Sequence, residues 1–156
     1  MRQRTPAEIR SLRELFTTED PVPESVLTAS YAAIARRARE RESGSLSLVG
    51  DSAEEPVGVR SGARPRVLTF AMPGRVLELD LVPMTCGLYR VSGMVLSRAG
   101  HAPPSGEVVL RRPDGEHRGV LDEQGAFEVP DVPRGPVSVV YRPERAEPAF
   151  ADWLVC

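Results

Sequence analysis

The stretch Val67-Leu68-Thr69-Phe70-Ala71-Met72-Pro73-Gly74-Arg75-Val76-Leu77-Glu78-Leu79-Asp80-Leu81-Val82 decides the fold class. Leu77, Leu79 and Leu81 alternate with Glu78 and Asp80. Only an extended chain with a two-residue period puts those leucines on one side and the acids on the other. The apolar run before it, 67–72, is joined to it by Pro73-Gly74, a turn dipeptide. The two runs together predict an antiparallel hairpin with one face on a core and the other in water.

The same pattern continues downstream. Strands are expected at 88–97, 107–111, 116–121, 126–129 and 136–142, and the chain closes through Asp152-Trp153-Leu154-Val155. Between them lie a Pro-rich loop at 100–106 and the turn signals Pro113-Asp114-Gly115, Asp122-Glu123-Gln124-Gly125 and Pro133-Arg134-Gly135. Gly93 inside its strand predicts a bulge or a crossing point. About seven to eight short strands with regular turns predict an antiparallel β-sandwich, Ig-like or prealbumin-like, over 66–156. Its core would draw on leucines, valines, Phe127, Tyr141 and Trp153.

Upstream the period changes. Residues 43–65 hold Gly44, Gly50, Gly58 and Gly62 among serines and acids, and read as a linker. Within it Leu46-Ser47-Leu48-Val49 suits a docking segment or an edge strand. Residues 1–42 read as a helical arm. Thr5 can cap, Pro6 fits a first helical position and Glu8 can complete a capping box. Ile9, Leu12, Leu15 and Phe16 follow at helical spacing, and this helix ends near Thr17 or Thr18. Asp20-Pro21-Val22-Pro23 punctuates, and a second helix runs over 24–42 with Val26, Leu27, Tyr31, Ile34 and Ala38 as its apolar stripe. The fold class is therefore mainly β with a helical N-terminal arm of two α-helices.

Composition narrows the function classes. A charged fraction of 27% and a hydrophobic fraction of 41% are globular values. The apolar runs are too short to span a bilayer. The net charge is −2, and neither residues 1–65, which balance to zero, nor residues 66–156, at −2, carry the basic surplus that phosphate backbones require. Every basic residue but the two histidines is Arg, and Asn is absent, as codon pressure in a GC-rich genome would produce. The N-terminus mixes Arg2, Arg4, Arg10 and Arg13 with Glu8 and Glu14 and lacks the apolar core of a signal peptide, so a cytoplasmic address is expected.

Chemistry-bearing residues are few. His101 falls in the Pro-rich loop and His117 in a hairpin after Pro113-Asp114-Gly115, neither flanked by the partners of a triad. Cys86 and Cys156 have neither zinc-ligand spacing nor the numbers of a disulfide framework. Glu78 with Asp80, and Asp122 with Glu123, read as solvent-face and turn residues. No glycine-rich phosphate motif occurs. The run Arg36-Arg37-Ala38-Arg39-Glu40-Arg41-Glu42 interleaves both signs and reads as a solvated helix end. No catalytic, cofactor-binding or metal-binding residue is assigned, and neither nucleic acid nor membrane is expected as a partner. The helical stripes are the informative feature. Ile9, Leu12, Phe16, Val26, Leu27, Tyr31 and Ile34 are the candidate partner-binding residues for helix-in-groove recognition of a protein. The alternative is a ligand-binding sandwich, for carbohydrate or peptide, with the helices docked on it.

Leu121-Asp122-Glu123-Gln124-Gly125-Ala126-Phe127-Glu128-Val129, followed by Val132-Pro133-Arg134-Gly135-Pro136-Val137-Ser138-Val139, resembles the signature of carboxypeptidase regulatory-like, prealbumin-type domains. In those, a D-x-x-G-x-F turn precedes a strand and a V-P-x-G step leads to the next. The resemblance implies a non-catalytic appendage. The wider layout is Asp20-Pro21-Val22-Pro23, the alanine-rich helix with Arg36, Leu68-Thr69-Phe70, Gly135-Pro136-Val137-Ser138 and Asp152-Trp153-Leu154-Val155. It resembles uncharacterised actinobacterial proteins associated with genes for extracytoplasmic-function sigma factors and CHAT-type peptidases. That resemblance implies a regulatory adaptor whose partner is a sigma factor or a cassette protein. The H-x-x-x-C-x-x-C motif of zinc-containing anti-sigma factors is missing, since no Cys precedes Cys86 and no His precedes His101, so such an activity would be metal-free.

Overall fold

The structure, a computed structural model, describes residues 21–53 and 65–156 together with Ile9, Ser11 and Glu14, and for 39–42 the description stops at the backbone. Two compact units divide the chain, Met1–Arg39 and Glu40–Cys156. Among the described residues one helix is complete, α1 (Glu24–Glu42), where two were expected. Of the first expected helix Ile9, Ser11 and Glu14 are described, and each is helical; Leu12 and Phe16 lie outside the described residues. The Pro23 carbonyl accepts the N–H groups of Val26 at 2.9 Å and Leu27 at 3.2 Å, which closes the first turn of α1. Pro21 and Pro23 precede that turn, where missing donors cost little. Glu24 then meets the positive end of the helix dipole.

Among its described residues the second unit holds ten strands: β1 (Gly44–Asp51), β2 (Arg66–Met72), β3 (Arg75–Pro83), β4 (Leu88–Ser97), β5 (Glu107–Arg112), β6 (Gly115–Val120), β7 (Ala126–Pro133), β8 (Pro136–Arg142), β9 (Ala149–Ala151) and β10 (Leu154–Val155). Hydrogen bonds link them in the order β6-β5-β8-β9-β1-β2-β3-β4-β7, with β10 added to β8. The predicted β2–β3 hairpin is present, with Met72 opposite Arg75 across Pro73-Gly74 and Gly74 at φ 72°. Its register puts Leu68 opposite Leu79 and Phe70 opposite Leu77, all buried, while Glu78 and Asp80 face outward.

Where two separate sheets were expected, the sheet is continuous, and β1 is the reason. Gly44, Ser45 and Leu46 pair in parallel with β9, whereas Ser47, Leu48, Gly50 and Asp51 pair antiparallel with β2. The change of neighbours falls between Leu46 and Ser47, and a register shift between Leu48 and Gly50 then bends the strand along β2, as a bulge does. At the far ends of the path β6 and β7 approach closely: a Cβ on Gly119 would lie 2.9 Å from both Phe127 and Val129. The sheet is rolled nearly into a barrel around Leu46, Leu68, Leu79, Val95, Phe127 and Tyr141.

Three local expectations change. Residues 44–51, read as part of a linker with 46–49 as a docking segment or edge strand, do form a strand, but one with neighbours on both sides, because Leu46 fills the core and Gly44 fits closely against Pro148 and Ala149. Gly93 is neither bulge nor crossing: it stands in regular register opposite Leu79 and Phe127, and a side chain there would collide with the Phe127 ring and the Glu78 carbonyl. Trp153, expected in the core, is 49% exposed, because β10 pairs β8 only through Leu154 and Val155.

Candidate functional site

Among the sequence-predicted partner residues, α1 presents its apolar positions to solvent. Leu27, Tyr31 and Ile34 are 44%, 69% and 65% exposed, and Val26 and Ile9 are exposed as well. At about 100° per residue, Leu27, Tyr31, Ile34 and Ala38 fall within an arc of roughly 60°, one narrow stripe, with Val26 to its side. Ser30 turns its hydroxyl back to the Val26 carbonyl at 2.7 Å and so adds no polar demand to the stripe. Among the described residues no helix is long and apolar enough to cross a membrane.

The residues weighed for chemistry are held apart in structural roles. Asp122 accepts the N–H groups of Gln124 at 2.9 Å and Ala126 at 2.8 Å, and so holds the turn before β7. Gly125, at φ 83°, has Pro104 and the Val95 carbonyl 2.6 Å from where a Cβ would stand, and Phe127 enters the core two residues later. The D-x-x-G-x-F signature is thereby explained as turn and core. His117 is half-buried on β6 opposite Leu110, and His101 is exposed, resting against Gly74. Neither imidazole has a hydrogen-bond partner among the described residues, nor do those residues contain a group of three or more His, Cys, Asp or Glu able to hold a metal ion. Cys86 is exposed in a turn at φ 74°.

Charged residues stitch the barrel's rim and outer face. Arg66 donates to both oxygens of Asp51, at 2.9 and 2.6 Å, and to the Val155 carbonyl at 2.7 Å, so it ties β1 to β10. The Arg66 guanidinium holds the Asp51 carboxyl below its ordinary value, against the opposing effect of burial. Cys156 exchanges both backbone hydrogen bonds with Gly135, and burial pushes its thiol up. On the outer face of β5, β6 and β8, Arg118 and Arg142 each pair with both Glu107 and Glu116, at 3.0 to 3.6 Å, a neutral lattice of four charges.

Sequence reasoning missed one surface. A groove of about 450 Å³ opens beside the β2–β3 turn, walled by Ala71, Met72, Val76 and Leu96 and bordered by Arg75 and Arg98. Val76 and Leu96 stand directly opposite each other on outward positions of β3 and β4. The signal was available: where Glu78 and Asp80 mark the solvent face of β3, Val76 shares their parity, and Met94 and Leu96 continue it on β4. No protein-family model, curated protein or solved structure matches this chain.

Proposed function

We propose that this chain is a non-enzymatic regulatory adaptor that holds a protein partner on the apolar face of α1, with the β unit as its platform. The observation that carries this reading is the exposure of Leu27, Tyr31 and Ile34 along one helical stripe. Covering such side chains gains about 1.5–3 kcal/mol each at most. Three of them suffice for a modest affinity once the costs of association are met. The layout resembling sigma-factor-associated proteins directs attention to a co-encoded sigma factor or CHAT-type peptidase as that partner. The prealbumin-type reading of the β unit is supported by the Asp122 turn and by Phe127 in the core behind it, where the signature puts them. A second reading, the β unit as a ligand-binding module, has the groove beside the β2–β3 turn in its favour.

The test is co-purification of the full chain, tagged at its C-terminus, from its native host, beside Leu27→Glu and Ile34→Glu. Circular dichroism and the thermal midpoint establish that both variants fold. The expected result is a sigma factor or peptidase that accompanies the wild type and is lost with both variants. The same protein retained by two folded variants sinks the helix reading. So does a wild-type dimer that Leu27→Glu dissociates, since a second copy would then cover the stripe.

A further inference from the structure

We propose that the groove beside the β2–β3 turn is a second docking site, independent of α1, for an acidic apolar segment of a partner protein. Two features of the groove point there. Its walls are apolar and open to water: Val76 and Leu96, paired across β3 and β4, are 36% and 49% exposed, and Met94 extends the patch along β4. Solvent-facing strand positions ordinarily carry polar side chains, as Glu78 and Asp80 do on β3.

The second feature is charge. The guanidiniums of the β unit are otherwise engaged. Arg66, Arg90, Arg112, Arg118 and Arg142 pair with carboxylates, Arg111 meets Ser138 and Phe150, and Arg134 lies over Tyr89. Among the described residues only Arg98 and Arg145 leave the guanidinium without a partner, and Arg98 borders the groove. Beside it Arg75 meets Tyr141 and Ser97 through neutral oxygens and has no carboxylate. A segment with a leucine-sized side chain next to Asp or Glu would fill the groove and give Arg98 a bidentate partner. Glu78, two positions from Val76 on the same outward side of β3, and the net charge of −2 disfavour a run of negative charges such as a phosphate backbone, and leave place for a single acid beside Arg98.

The test uses the full chain, immobilised by a terminal tag, to select from a phage-displayed random 12-residue peptide library. Selected peptides are then labelled with fluorescein and titrated by anisotropy against wild type, Leu96→Asp, Arg98→Glu and, as a control outside the groove's lining, Arg145→Glu. The expected result is enrichment of peptides that place Asp or Glu within a few positions of Leu, Ile, Met or Phe. Their binding should fall at least ten-fold with Leu96→Asp and with Arg98→Glu and hold with Arg145→Glu. Exchanging the peptide's acid for Arg should restore binding to Arg98→Glu. Arg98 is exposed and unpartnered, so its variant tests the site even where Leu96→Asp impairs folding. Peptides lacking the acid, or binding indifferent to Arg98→Glu, would overturn the site. So would sedimentation showing a wild-type dimer that Leu96→Asp dissociates.

Discussion

Replacing Arg66 with Met removes a side chain that joins the end of β1 to the C-terminal strand. The variant loses three charge-assisted hydrogen bonds, of 2.9 and 2.6 Å to Asp51 and 2.7 Å to the Val155 carbonyl. Asp51, whose side chain is only 7% exposed, then keeps the Ala53 N–H but no cation. Breaking a buried pair costs about 3–5 kcal/mol and an exposed one less than about 1 kcal/mol. Arg66 is partly exposed, which puts the expected loss at about 2–3 kcal/mol. With a urea m-value of about 1–3 kcal/mol per molar, the unfolding midpoint should drop by roughly 1–2 M at pH 7. The pH dependence supplies an independent check. Asp51 has a folded pKa below its ordinary 3.8, so its contribution is present above that value and is lost as pH falls through the lower folded one. The raised pKa of Arg66 reflects the same contact and adds nothing separate in that window. The gap between wild type and Arg66→Met should therefore hold from pH 7 down to about 3.8 and narrow only below it, while Asp51→Asn should shrink the further effect of Arg66→Met to what the Val155 hydrogen bond contributes. A gap below about 0.5 kcal/mol at pH 7, or one that acid leaves unchanged, would refute the reasoning.

Three further outcomes are expected. Leu79→Ala empties a fully enclosed site in the barrel and should cost about 2–5 kcal/mol by urea denaturation. Gly93→Ala, though a single methyl, should destabilise by about 1–3 kcal/mol in the same assay, because its Cβ meets the Phe127 ring and the Glu78 carbonyl; the Phe127→Leu background should soften that loss. Iodoacetamide at pH 8, followed by mass spectrometry, should modify exposed Cys86 well before Cys156, whose partly buried thiol is raised above its ordinary pKa, and the difference should vanish in denaturant.

The strands were legible because their information is local. Leu77-Glu78-Leu79-Asp80-Leu81 states its own period, and the turns Pro73-Gly74, Pro113-Asp114 and Asp122 to Gly125 state where the chain reverses. Closure of the sheet was not local. It depends on β1 changing neighbours after Leu46, and on a glycine at 119 that lets β6 approach β7. Neither residue announces that use, and a serine-rich segment with one inward leucine looks like a linker until Ala149 and Thr69 are placed beside its glycines. Of the candidate partner surface, the stripe on α1 was legible and its exposure was not, since periodicity names a face without saying what covers it. The groove went unread because attention to the core side of each strand passes over apolar residues of the opposite parity.

The exclusive use of arginine, which codon pressure would account for, also has a mechanical consequence. A nearly closed sheet filled largely by valines and leucines has little core to spare for its rims, and there the guanidiniums bridge strands far apart in sequence. Arg75 reaches from β3 to Tyr141 on β8 and Ser97 on β4, and Arg112 reaches from β5 to the Pro133 and Arg134 carbonyls. Arg66 fastens the C-terminal strand. Each uses two or more of the planar donors at once, which a lysine ammonium on a flexible stem cannot do in the same geometry. Lys at these three positions would keep the charge and lose the bridge. At Arg98, where no bridge exists, Lys would leave stability unchanged and weaken only what the groove binds.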